Sequence, residues 1–380
     1  NDKKFSLNSV GKIIFIGIGK CAAKAGRVFE KILGNYLIGG AVIDVKGALA
    51  LKKIKSLQGT HPLPSEKNIQ AAREIVQLLQ GLNENDLVIF LISGGGSTLL
   101  CLPKSGKCDQ EIYIVQELIR GGATIQEINT VRKHLSLARG GYLAKYTYPA
   151  NAVSLIFSDI PGNDIAFVAS GPTFKDTTTV IDAKKVLLKY KIWHEHDIEK
   201  YGLIETPKED KYFKNVRNIL ALSNKTALEA MAMKAKKIGL KPNIIASQFI
   251  GEAASLGKKI VKELHGSKKN EVLLYGGEST VKIHGNGRGG RNLELGLSAL
   301  QHLHNDEIIL TMASDGRDNG PFGGTISDTI TKEAIKNAGL LPAVSLNNND
   351  TYPLFEKIGN YLVMGDPGSN VADLIVAMKT

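Results

Sequence analysis

The fold is decided by KIIFIGIGKCAAKAGRVFEKIL, residues 12–33. Lys12–Ile18 is an apolar run of strand-forming residues, which reads as a strand buried on both faces. Gly17 and Gly19 punctuate its end, and from Cys21 to Leu33 the apolar residues return at helical spacing. Strand, glycine turn and helix in direct succession form the first half of a parallel crossover. Working outward, Ala41–Val45 reads as the second strand. Ser65 is the N-cap of a helix running to Leu79, with Gly81 at its C-terminal end. DLVIFLI, residues 86–92, and Val153–Phe157 are further buried strands.

A charged stretch at 192–217, containing Pro207, interrupts this alternation and marks a domain junction. The expectation is therefore two α/β domains, 1–215 and 216–380. In the second, strand Ile219–Ser223 leads to helix Lys225–Ile238, strand Asn243–Ser247 to helix Gly251–Leu264, and strand Glu271–Tyr275 into Gly276-Gly277. Ser279–His284 alternates like a strand and turns at GNGRGG. A helix from about Asn292 and strand Ile308–Ala313 follow.

A chain of 380 residues exceeds one ordinary core, which agrees with two domains. Hydrophobic residues at 43% and charged residues at 22% are those of a soluble globular enzyme. No apolar run is long enough to span a bilayer, so no membrane role is expected. Asn1–Asn8 is polar with no cleavage pattern, so no signal peptide is expected, and the lack of an initiator Met makes a missing N-terminal piece an expectation. Cys21, Cys101 and Cys108 are odd in number and form no CxxC pair, which favours a reducing cytoplasm over a disulfide framework. The net charge is +11, but the basic residues are scattered, acids lie among them, and few aromatics interleave. Nucleic acid is not the expected partner; anionic small molecules are.

Five glycine-rich or acidic segments follow strands, where open α/β sheets bind ligands. GIGKCA, residues 17–22, fits the dinucleotide pattern G-x-G-x-x-A with Asp44 downstream. Lys20 inside the turn points instead to an anion, and a plain turn is the third alternative. SGGGST, Ser93–Thr98, can aim backbone N–H groups at a phosphate. SDIPGND, residues 158–164, offers Asp159 to orient a hydroxyl, accept its proton or hold a metal. GGEST and GNGRGGRN bring Glu278, Arg288 and Arg291 among glycines, where guanidinium forks suit a polyanion. SDGRDN supplies Asp315 and Asp318 for a metal or a ribose. The eight histidines show no zinc spacing: His194 and His196 sit in the charged linker, and His302 and His304 lie on different sides of a helix. His134 reads as structural, with a substrate role as the alternative. The inventory suits phosphoryl transfer without naming the acceptor.

GIGKCAAKAG, GTHPLPSE, LISGGGSTLL, EINTVRKHLSLARGGYLA, SDIPGND, ASGPTFKDTTT, ETPKEDKYF, GGESTV and GRGGRNLELGL occur in this order. The series resembles class II glycerate kinases, the glycerate 2-kinases with a C-terminal MOFRL domain, over nearly the whole chain. The resemblance implies an N-terminal Rossmann-like domain, a smaller MOFRL-type α/β domain and an active site in the cleft between them. It implies transfer of the γ-phosphoryl of ATP to D-glycerate with Mg²⁺, giving 2-phosphoglycerate and ADP. By motif, Lys20, Asp159 and Arg291 would be catalytic. Lys20 and Arg291 would neutralise phosphoryl charge, and Asp159 would serve the glycerate hydroxyl or the metal. Ser93, Gly94, Gly95, Gly96 and Ser97, with Arg288 and Asn292, would bind substrate or phosphate. Glu278, Asp315 and Asp318 are candidates for nucleotide or metal. Some relatives carry a hydroxypyruvate reductase label, so an NAD(P)-dependent reductase is the alternative. Two departures stand out. MGDPGSNVADL, residues 364–374, differs from the family's TGPTxTNVNDL, and the family's N-terminal helix is largely absent, which leaves an oligomer contact such as a homodimer open.

Overall fold

The computed structural model describes residues 10–45, 50–104, 106–159, 164–192, 202–365, 367–368 and 370–380. The chain divides into two compact units. The first runs to Ser158 and resumes over Asp164–Ala221; the second takes in Asp159 and Leu222–Thr380.

The first unit contains β1 (Ile13–Ile18), α1 (Ala22–Leu33), β2 (Leu37–Asp44), β3 (Ile54–Gln58), α2 (Glu66–Leu79), β4 (Leu87–Ile92), α3 (Gly96–Leu99), α4 (Asp109–Arg120), α5 (Ile125–Lys133), α6 (Tyr142–Thr147), β5 (Asn151–Phe157), α7 (Val180–Lys189) and β6 (Val216–Leu222). The strands form one sheet in the order β3-β2-β1-β4-β5-β6. β1 is parallel to β2 and β4, and β3 and β5 are parallel to their inner neighbours. Every residue of β1 is buried; Phe15, Leu37, Val42 and Leu91 pack with Ala22 and Ala23 of α1. The order of the strands reverses between β1 and β4. That switch point is where doubly wound sheets bind ligands, and it brings the turn after β1 beside the turn after β4. Ser65 caps α2 in a capping box with Asn68. β6, expected to open the second domain, completes this first sheet instead, because its pairing partner is β5.

The second unit contains α8 (Asn224–Lys237), β7 (Lys241–Glu252), α9 (Ala253–His265), β8 (Glu271–Thr280), α10 (Arg291–Leu300), β9 (Glu307–Ala313), β10 (Gly324–Ser327), α11 (Thr329–Asn337), α12 (Pro342–Asn347), α13 (Thr351–Ile358), β11 (Tyr361–Leu362) and β12 (Asp373–Lys379). Its sheet runs β11-β10-β9-β12-β8-β7 and is mixed. β7 and β8 are parallel, whereas β12 lies antiparallel to both β8 and β9. The last strand enters between two others from the opposite direction, and β10 is likewise antiparallel to β9 and β11. α10 is buried from Asn292 to Leu300, which explains its apolar composition.

Ser279–His284 is not a hairpin strand. Ser279 and Thr280 end β8, and 281–284 have no strand pairing. The reason lies in GNGRGG. A Cβ on Gly285, Gly287 or Gly289 would collide with Asn348, Asp350 or Thr351, respectively, so these glycines permit a close approach to the α12–α13 connection. Backbone N–H groups seal the contact: His284 donates to Asn349 Oδ1 (2.7 Å), Gly287 to the Asn348 carbonyl (3.0 Å) and Arg288 to Asp350 Oδ1 (2.8 Å). Those donors are spent within the fold and are not aimed at a phosphate. No helix among the described residues is long and apolar enough to cross a membrane.

Candidate active site

In the first unit the two glycine turns at the switch point interlock. Gly19 has φ of 116°, and a Cβ there would collide with Ser93 Oγ, so only glycine fits. Ser93 N–H donates to the Ile18 carbonyl (2.8 Å) and Lys20 N–H to the Gly94 carbonyl (3.1 Å). The exposed Lys20 runs along the second turn: a Cβ at Gly95 would stand 3.3 Å from Lys20 Cγ and 3.4 Å from His61 Cδ2. His61 is held below its ordinary pKa, first by burial and then by the charges of Lys20 and Arg132. Arg132 Nε is buried without a hydrogen-bond partner. Lys20 and His61 thus stand beside Gly95, with the Arg132 charge acting on His61. Across the turn, Ser97 Oγ lies 3.0 Å from Ser170 Oγ, which also reaches Asn129 Oδ1 at 2.7 Å. Ala169 and Ser170 have φ of 53° and 58°. Such left-handed residues cost about 1–3 kcal/mol each and tend to occur at ligand clamps. A glycine turn with an ammonium beside it can hold a carboxylate or a phosphate.

Asp44 takes no part in that cradle. It is buried, and its Oδ2 accepts the Ala23 N–H (3.1 Å) at the start of α1. The carboxylate that a dinucleotide reading requires for a ribose hydroxyl is spent on the helix terminus. Cys21, Cys101 and Cys108 are buried and form no disulfide. His134 is fully buried, with Nδ1 2.8 Å from the Ile204 carbonyl, as a structural histidine should be.

In the second unit Arg291 is the first residue of α10, not a loop residue. Its Nε and Nη2 donate to the two oxygens of Asp373 at 2.7 and 3.0 Å, and its Nη1 lies 3.2 Å from Glu278 Oε1. Asp373 is fully buried at the start of β12 and also accepts from Asn292 Nδ2 (2.9 Å). Asp318 accepts the Leu293 N–H (2.8 Å) at the start of α10. Burial pushes its carboxyl up to about 6, with the Asp373 charge adding to the effect. Burial likewise raises Glu278, against the pull of Arg291, and Asp373, Asp159 and Asp315 push in the same direction as burial. Asp373, Glu278 and Asp318 thus act on the Arg291 guanidinium, and Asp159 and Asp315 add negative charge beside Glu278. Glu278, Arg291 and Asp318 also line a cavity of about 640 Å³ with Ile250, Thr280 and Asn319, a volume ordinary for a small-molecule site.

Arg288 does not join this cluster: its guanidinium stands 5.0 Å over the Tyr352 ring. Asn292 binds Asp373, not an open anion site. His194, His196 and the 160–163 part of SDIPGND lie outside the described residues. Sequence reading missed Asp373, His61 and Arg132. Asp373 opens the apolar run DLIVAM inside the divergent stretch, a carboxylate at a strand end that spacing could have flagged. His61 and Arg132 stood in two quoted motifs, but only folding brings them to one turn.

Residues 1–201 match a family described as a domain of unknown function, DUF4147, and residues 271–373 match the MOFRL family. A D-glycerate 2-kinase from Thermotoga maritima is 37% identical over 97% of this chain and 91% of its own length. A crystal structure of a glycerate kinase from the same organism superposes with a TM-score of 0.91 at 35% identity, covering 98% of this chain and 92% of that one. A relative from Agrobacterium vitis, 36% identical over 96% of this chain and 86% of its own, carries a provisional hydroxypyruvate reductase name. The chain belongs to the glycerate 2-kinase family.

Proposed function

We propose that this chain transfers the γ-phosphoryl group of ATP to D-glycerate, giving 2-phosphoglycerate and ADP. The observation that carries the reading is the carboxylate cluster around Arg291. Phosphoryl transfer needs hard oxygen ligands and a fixed cation; hydride transfer needs neither. The reductase alternative is further weakened by the commitment of Asp44 to α1. The donor set fits Mg²⁺: it is all oxygen, and Glu278 and Asp318, raised chiefly by burial and further by neighbouring carboxylates, are groups whose ionised form a divalent cation would favour. Glu278, Asp315 and Asp318 would hold the ion, which when bound neutralises charge on the phosphates. Arg291, fixed by Asp373, presents the guanidinium N–H groups that Asp373 does not use to the phosphoryl oxygens. Asp159 orients the glycerate hydroxyl and takes its proton. Lys20, His61 and Arg132, about the backbone of Ser93, Gly94, Gly95, Gly96 and Ser97, hold the carboxylate or a phosphate. The three cysteines without disulfides suit a cytoplasmic setting.

Mg-ATP should raise the melting temperature and NADH should not, since a ligand of the native state stabilises it by mass action. The Mg²⁺ part of the shift should grow between pH 5 and pH 7.5. Asp318 has a folded pKa of about 6, above that of an unfolded carboxyl. The folded chain therefore binds more protons across that window and loses stability as pH rises through it. A metal that needs the ionised form restores more of that stability at the higher pH. Incubation with ATP, Mg²⁺ and D-glycerate should yield 2-phosphoglycerate by phosphorus NMR. A shift with NADH alone, and no phosphorylated product, would return the assignment to the reductase.

A further inference from the structure

A second group of metal-binding side chains lies in the second unit, away from the carboxylate cluster. His265 is the last residue of α9, His304 lies in the connection after α10, and Glu307 opens β9. His265 Nε2 is 3.2 Å from Glu307 Oε2, and His304 Nδ1 is 3.7 Å from Glu307 Oε1. One donor atom from each residue lies within 4.8 Å of the other two. A tetrahedral zinc ion with bonds of about 2.0–2.1 Å holds its ligand atoms roughly 3.3 Å apart, and each imidazole has a ring nitrogen close to that distance from one or the other Glu307 oxygen.

The group has a feature that an ordinary ion pair does not explain. Glu307 is 2% exposed, and its Oε1 makes no hydrogen bond. Its other oxygen accepts the His304 N–H at 2.9 Å. Lys379 Nζ stands 3.8 Å from Oε1 but donates to the His265 carbonyl (2.9 Å). Leaving a buried carboxylate oxygen unbonded is costly, and a bound cation removes that cost. The two imidazoles stack face to face, 4.0 Å apart and 7° from parallel. Their ring planes must tilt for both to reach one ion, and the His304 side chain, 63% exposed, has solvent on its open side.

We propose that His265, His304 and Glu307 form a site for a divalent transition metal, zinc foremost, with water at the open position. Two imidazoles and a carboxylate favour Zn²⁺, Ni²⁺ or Cu²⁺ over Mg²⁺. Glu307 begins β9, whereas Asp315 and Asp318 follow its other end. The strand separates them by about 20 Å, so the site is structural: it fastens the end of α9 to the start of β9. The inference does not depend on the proposed kinase activity.

The test is calorimetric titration of the full chain with ZnCl₂ in excess Mg²⁺, which occupies the oxygen-rich cluster. Wild type should bind one zinc ion that His304→Ala and His265→Ala each weaken at least about tenfold, and His302→Ala should leave it unchanged. Lys379→Met, which removes a competing cation, should tighten it. All four variants alter side chains outside the proposed catalytic set, and melting curves without zinc report whether each is folded. No zinc binding by wild type, or an unchanged isotherm in folded His304→Ala, would overturn the proposal.

Discussion

Arg291→Ala should abolish phosphoryl transfer and also weaken the fold. The guanidinium is the bidentate partner of Asp373, a carboxylate with no exposure at all. Removing one member of a buried pair strands the other and costs about 3–5 kcal/mol. The Arg291 side chain is one-third exposed, so water recovers part of that, and a loss of about 2–3 kcal/mol is expected. The melting temperature of the second unit should fall by roughly 5–10 °C. Arg291→Lys keeps the charge but loses the planar fork; its turnover should still fall at least about tenfold, or roughly 1.4 kcal/mol of transition-state stabilisation. Read from sequence as a loop residue, Arg291 is expected to be replaceable without harm to the fold, and the pairing with Asp373 reverses that. Wild-type turnover in Arg291→Lys would remove it from the catalytic set.

Lys20→Ala should behave in the opposite way, with a large kinetic loss and no structural one. Its ammonium is exposed and lies on a turn beside Gly95, so melting should stay within about 1 °C of wild type, as for most surface substitutions. Removing a preorganised charge from a developing transition state typically costs about 10²–10³-fold in turnover. Near-normal turnover in this variant would mean that the lysine merely decorates a tight turn.

The parts of the fold legible in sequence were those whose cause is local. β1, α1, β4 and the Ser65 cap follow from apolar runs, helical spacing and a capping residue, and their bounds differ by only a residue or two. β3 was missed because IKSLQ is a short strand only partly buried, with burial that does not alternate cleanly. The direction of β12 was not legible, since DLIVAMK reads the same whether its neighbours run parallel or antiparallel. Candidate site residues are legible where glycines and charges cluster within a few positions, as at Lys20, Glu278 and Arg291. They were missed where partners are far apart in sequence: His61 with Arg132, Arg291 with Asp373, and His265 with His304. The glycines of GNGRGG look like a phosphate loop in sequence, yet their backbone is consumed by Asn348–Asp350.

The position of β12 also bears on synthesis. The first sheet has all its strands once residue 222 has been made, but the second keeps an open slot between β8 and β9 until residue 379. At translation speeds of about 5–20 residues per second, those 157 residues (379 − 222) take roughly 8–30 s. From the completion of β9 at residue 313 until β12 follows, the second unit exposes two unpaired strand edges while the first can already be finished. Nascent chains arrested at Ala372 should accordingly yield a protease-resistant fragment from the first unit alone.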